Sequence, residues 1–201
     1  MADCNSKCFI HTRKCNPRCN ESKSLNEVIT MEYQYKNNDS MLRRLIRVKT
    51  LRPSPNETLL LAFSLEHQQQ IPIFSDFPFV VDYEYELKQG LMNHGKGDLI
   101  LTNGNKKYLV VEAKHITQAE GRNARARRRQ QRNKVNEQVT FYLDKFLEKY
   151  PNADADGFAL TNEILSEDLL EKYEIYRNRQ EKIWSKRKKS LYPKTKKKQV
   201  I

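Results

Sequence analysis

Regular hydrophobic patterning begins near residue 54 and continues, with interruptions, to Trp184. Ser54-Pro55-Asn56-Glu57 has the makings of a helix start: Ser54 as N-cap, Pro55 at the tolerated first position and Glu57 completing a capping box. Leu59, Leu60, Phe63 and Leu65 then carry a helix to about Gln69. From Phe77 to Leu87 the pattern changes to strict alternation. It predicts a strand with Phe77, Phe79, Val81, Tyr83, Tyr85 and Leu87 on a buried side and Val80, Asp82, Glu84 and Glu86 on the other. Gly97 to Thr102 and Lys107 to Ile116 predict two more strands, with Asn103-Gly104-Asn105 as a hairpin turn between them. Val135, Val139, Leu143, Phe146 and Tyr150 recur at helical spacing, so a long helix is clearest from Lys134 to Tyr150 and ends at Pro151. Gly157 to Thr161 reads as a fourth strand, and Ser166 caps a last helix with Leu169, Tyr173, Tyr176 and Trp184 inward. The order α-β-β-β-α-β-α predicts an α/β (α+β) fold. Order is expected to begin between Met41 and Leu51.

The strands carry the candidate chemistry. Asp98 opens the second, and Glu112 and Lys114 lie two apart on the third, where a period of two puts them on one face. Two carboxylates can hold Mg²⁺ or Mn²⁺ through oxygen. Such a metal polarises a phosphoryl oxygen and activates water, and a lysine beside it steadies the nucleophile or the developing charge. The chemistry requires Asp98 and Glu112 to share a face, and this constrains the hairpin. A two-residue Asn103-Gly104 turn would pair Asp98 with Leu109, on the wrong side. A three-residue loop, Asn103 to Asn105, pairs Thr102 with Lys106 and Asp98 with Val110, making Glu112 the diagonal neighbour of Asp98. An odd loop is therefore expected, against the usual habit of Asn-Gly.

Asp98, thirteen intervening residues and Glu112-Ala113-Lys114 resemble the PD-(D/E)XK nuclease superfamily. Gly97 stands where the motif's name has Pro. Gln138-Val139-Thr140-Phe141-Tyr142 is similar to the Gln-x-x-x-Tyr element of the exonuclease and RecB-like branch. The resemblance covers roughly residues 54–163. It implies a restriction-endonuclease-like αβββαβ core with a mixed sheet flanked by helices. It also implies a Mg²⁺-dependent hydrolase of DNA, with Asp98 and Glu112 as metal ligands, Lys114 on the nucleophile, and Gln138 and Tyr142 as positioning groups. A further acid is expected: Glu57, better read as a helix cap, or Glu84 or Glu86 on the first strand. His115 faces away from Lys114 and reads as structural.

Composition adds a polyanion to this picture. The 201 residues carry 37 Lys and Arg against 25 Asp and Glu, a net charge of +12, with a mean hydropathy of −0.85. Residues 122–134 hold seven basic side chains and no acid, and residues 186–198 hold eight, so the rest of the chain is slightly acidic. Nucleic acid, with DNA as the substrate, is the expected partner. Arg122, Arg125, Arg127, Arg128, Arg129 and Arg132 are the expected phosphate contacts. The second window, with Pro193, reads as a mobile tail after Trp184, either solvated or serving as a nuclear address. The reading in full is a polar arm at 1–40, a nuclease-like domain at 41–184 and a basic tail at 185–201.

Cys4, Cys8, Cys15 and Cys19, with His11 among them, can wrap a Zn²⁺ or remain free thiols on the arm. The longest apolar run, Leu59 to Phe63, is too short to span a membrane. The first residues lack a signal-peptide core, so an intracellular setting is expected, nuclear in a eukaryote. Two rival readings stand: a non-catalytic nucleic-acid-binding protein that keeps the nuclease-like fold, and a small basic RNA-associated protein whose hairpin charges are incidental. Oligomeric state is open, a homodimer among the options.

Overall fold

The computed structural model describes residues 25–53, 56–85, 96–118 and 120–191. The elements are α1 (Leu25–Thr50), α2 (Asn56–Glu66), α3 (Pro72–Ser75), β1 (Phe79–Tyr85), β2 (Gly97–Thr102), β3 (Lys107–Lys114), α4 (Arg122–Lys149), β4 (Asp154–Thr161) and α5 (Glu167–Leu191). Short 3₁₀ turns at Gln68–Gln70 and Asn162–Ile164 follow α2 and β4. The result is a mixed α/β fold with one four-stranded sheet, in the order β1-β2-β3-β4. The first three strands form an antiparallel meander, and β4 joins β3 in parallel after the α4 crossover.

Alternation along the central strands sorts their side chains into two cores. Leu99, Leu101, Leu109 and Val111 face α1, α2 and α5, packing with Ile46, Leu59, Leu60, Phe63 and Tyr173. Ile100 and Val110 face α4, where a smaller cluster holds Tyr85, Tyr142 and Phe146. The helix α4 lies close on β4, because a Cβ at Gly157 would stand 2.5 Å from Val139 Cγ1.

Three expectations fail for local reasons. Residues 1 to about 40 were expected to be a polar arm, yet α1 starts at Leu25. Polar groups anchor this helix. The Arg43 guanidinium donates to Asp39 (2.7 Å), to the Leu65 carbonyl (2.9 Å) and to the Pro78 carbonyl (2.9 Å), while Asp39 accepts the Val80 amide (2.8 Å). Second, β1 does not keep one buried face. A bulge between Val80 and Asp82 shifts its register, so Val80 is fully buried with Tyr83 in the large core. Glu84 then takes a left-handed φ of 52°, which sends Tyr85 to the α4 cluster instead of the core that holds Tyr83. Third, no break follows Trp184: α5 runs on to Leu191, with the Trp184 indole donating to the Thr50 carbonyl (2.9 Å). The Ser54–Pro55 cap, Leu87, Pro193 and most of the basic tail lie outside the described residues.

Candidate active site

The hairpin has the expected odd parity, but its register is not the expected one. Thr102 pairs with Tyr108 and Leu99 with Val111, where Thr102 with Lys106 and Asp98 with Val110 were expected. Side-chain bonds in the turn explain the shift. Thr102 Oγ1 donates to the Lys107 carbonyl (2.8 Å) and accepts the Gly104 amide (3.1 Å). Asn103 Oδ1 accepts the Asn105 amide (2.8 Å), and the Asn103 amide bonds the Lys107 carbonyl (3.3 Å). The turn therefore occupies Gly104 to Lys106, and both Gly104 (φ 84°) and Lys106 (φ 66°) are left-handed.

Continuing that register sets Asp98 directly across from Glu112. Where the main-chain ladder stops, the two carboxylates take over its bonds. The Asp98 amide donates to Glu112 Oε1 (3.0 Å) and the Ala113 amide donates to Asp98 Oδ2 (2.7 Å). Both side chains are thereby fixed against the sheet. Glu112 is 4% exposed. Burial, and then the neighbouring Asp98 charge, pushes the Glu112 carboxyl up to about 8. Burial pushes Asp98 up to about 6; the Ala113 amide opposes the rise, and Glu57 and Glu84 add to it.

Lys114 ends β3, and its Nζ lies 2.7 Å from Glu57 Oε1, so the first turn of α2 presents its acid to the motif lysine. Glu84, the strand acid considered as a further ligand, pairs with Lys49. Glu86 lies outside the described residues. On α4, Tyr142 is buried, edge-on to Tyr85 with ring centroids 5.9 Å apart. Burial, then the charges of Glu112 and Asp98, raises the Tyr142 phenol above its ordinary range. Gln138 stands one turn earlier, half-buried. His115 lies on the other side, against Tyr173 and 3.1 Å from Arg177 Nη1, and burial lowers its pKa.

The basic window forms the N-terminal turns of α4, twelve residues ahead of the expected clear start at Lys134. Arg125, Arg127 and Arg129 are exposed and Arg128 is half-buried, while the Arg122 side chain lies outside the described residues. Arg132, also expected to contact phosphate, is paired in this structure. Its guanidinium makes a two-point bond to Glu163 (2.6 and 2.7 Å), which fastens α4 to the turn after β4. Cys4, Cys8, Cys15, Cys19 and His11 lie outside the described residues.

Sequence reasoning missed Tyr85, which it placed in a uniform strand face. The available signal was Gly97, the residue before Asp98, since a Cβ there would stand 2.1 Å from Tyr85 Cζ. It also underrated Glu57.

Among the described residues no group of three or more acidic, histidine or cysteine side chains is gathered to hold a metal. The donor set is two carboxylates on one face, Glu112 buried and Asp98 half-buried. It fits Mg²⁺ or Mn²⁺, because Mg²⁺ commonly takes one or two carboxylates and keeps several waters. It does not fit a closed zinc cage. No helix among the described residues is long and apolar enough to cross a membrane. No protein-family model, no curated protein and no solved structure matches the chain.

Proposed function

We propose that this protein is a divalent-metal-dependent nuclease of the PD-(D/E)XK type, with the restriction-endonuclease-like αβββαβ core, acting on DNA. The observation that carries the reading is the opposed pair Asp98 and Glu112, each tied to the other's strand, with Lys114 two residues further along the same edge. Two carboxylates raised to about 6 and about 8 are costly to keep ionised in this setting, and a dication is the natural compensation.

A divalent ion held by Asp98 and Glu112 would supply Lewis-acid polarisation and an acidified water. The chain's residues do the rest. The amides of Asp98 and Ala113 hold the carboxylates in place. Lys114 steadies the attacking oxygen, and Glu57 sets the position of the Lys114 ammonium. Tyr142 walls the buried side, and Gln138 reaches the substrate from the preceding turn. Arg125, Arg127, Arg128 and Arg129 neutralise phosphates beside the scissile one.

One observation favours a second reading. A lysine held by a glutamate at 2.7 Å also suits a structural ion pair, as in a non-catalytic nucleic-acid-binding protein of this fold. A cleavage assay with Mg²⁺ or Mn²⁺ on linear, circular, single-stranded and branched DNA separates the two. Metal-dependent cutting, lost on chelation, supports the nuclease. DNA binding with every substrate left uncut supports the binding protein.

A further inference from the structure

Four buried side-chain polar atoms have no hydrogen-bond partner among the described residues: Ser64 Oγ, Tyr85 Oη, Arg177 Nε and Gln180 Oε1. Native proteins leave few such groups, and each calls for a cause. Ser64 lies on α2 and the other two on α5. Tyr85 alone belongs to the α4 cluster, with Ile100 and Val110, each two residues along its strand from Asp98 or Glu112.

Its position is assembled from three separate features. The left-handed Glu84 (φ 52°) breaks the alternation that would have sent Tyr85 into the large core with Tyr83. Gly97 leaves the space for the ring, since any Cβ there would lie 2.1 Å from Tyr85 Cζ and 2.3 Å from its Oη. Tyr142 closes the other side, edge-on at 5.9 Å. A phenylalanine would satisfy all this packing without leaving an unpaired hydroxyl. The hydroxyl thus sits against Gly97, the residue before Asp98; burial, then the charges of Glu112, Tyr142 and Asp98, raises this phenol above its ordinary range.

Building on the proposed metal site, we infer that Tyr85 is a positioning residue for it: its buried hydroxyl donates a hydrogen bond to the Asp98–Glu112 carboxylate pair when that pair holds a divalent cation. In this role Tyr85 resembles the outer-shell groups that orient ligating carboxylates. The cost of the unpaired hydroxyl falls on the metal-free protein and is relieved on binding.

The test is calorimetric titration of Mn²⁺ into the full chain and its Tyr85→Phe variant, with thermal melts of both in chelator. Phenylalanine keeps the ring and removes only the hydroxyl. The inference expects Mn²⁺ binding to weaken roughly 10–100-fold in the variant. It also expects the chelated variant to melt no lower than the wild type, because an unsatisfied group has been removed. Equal Mn²⁺ affinities in the two proteins would overturn the inference and leave the nuclease reading standing. A chelated variant that melts well below the wild type would also overturn it, showing that the hydroxyl is structural. A wild type that binds no Mn²⁺ would overturn both.

Discussion

The two faces of the sheet are built from alternate residues of the same strands, yet they do different work. The face toward α1, α2 and α5 is apolar along β2 and β3: Leu99, Leu101, Leu109 and Val111 are fully buried. The face toward α4 carries Ile100 and Val110 and then, at the ends of the same strands, Asp98 and Glu112. Tyr85, with its unpartnered hydroxyl, lies in the same cluster. Along β2 and β3 the first face buries apolar side chains, each of which stabilises the fold. The other buries groups that prefer water, and such costs concentrate at functional sites. Along β2 and β3 a period of two therefore separates packing residues from candidate site residues.

The largest expected effect is on the chemical face. If the protein is the proposed nuclease, Lys114→Ala should lower the cleavage rate by roughly 10²–10³-fold while leaving DNA affinity nearly intact, since the role proposed for the lysine is on the reacting oxygen. Asp98→Ala should lose both Mn²⁺ binding and cleavage. Single-turnover cleavage and a DNA-binding titration in chelator, run side by side, check both. Cleavage unchanged in Lys114→Ala would remove the lysine from the mechanism.

The same contrast should appear in stability. Leu109→Ala, on the apolar face, leaves a cavity and should cost about 2–5 kcal/mol in urea unfolding. Glu112→Gln, three residues along on the other face, should stabilise the metal-free protein at pH 8, because the neutral amide avoids ionising a buried acid. If both variants are destabilised alike, the two faces do not differ as described.

The pH dependence follows from the same carboxylates. Glu112 rises from 4.5 to about 8 on folding, and Asp98 from 3.8 to about 6. Between those limits the native state holds protons that the unfolded chain has released. Metal-free stability should therefore fall as pH rises from about 4 to about 8. Glu112→Gln should flatten the upper half of that slope, and saturating Mn²⁺ should flatten it further. Thermal melts in chelator at several pH values read this directly. A metal-free stability that climbs across the window would contradict the burial argument.

Much of this was legible in the sequence, and the failures have definite causes. The strands β2 and β3 and the odd hairpin were readable because apolar alternation and the demand for a shared carboxylate face agree, and α2 because Leu59, Leu60, Phe63 and Leu65 form an apolar helical run. The exact register was not, because Thr102 and Asn103 settle it with their own side-chain bonds. The start of α1 was not readable because residues 25–40 are mostly polar and show no lasting apolar period, and its later apolar positions are no better guide. Met41, Leu45 and Val48 are exposed, and the inner side is held by Ile46 and by the polar contacts of Arg43 and Asp39. Tyr85 was misplaced because a single left-handed residue, Glu84, is invisible to a period-two pattern.

The smallest expected effect lies outside both faces, where α4 projects its arginines. Arg125 and Arg129 are exposed and Arg128 is half-buried, and Arg132 makes a two-point bond to Glu163. Replacing Arg125, Arg128 and Arg129 with Gln should weaken DNA binding and flatten its salt dependence by about 0.9 log unit of slope per lost contact. Arg132→Gln should leave that slope nearly unchanged, since its charge is already neutralised by an acid. Deleting residues 192–201, beyond the end of α5 at Leu191, should reduce affinity without altering turnover at saturating DNA. The measurement is binding at several salt concentrations for each variant, with turnover alongside. Should Arg132→Gln flatten the slope as much as the triple change does, Glu163 must release it to the substrate. The basic surface would then extend down α4 to the turn after β4.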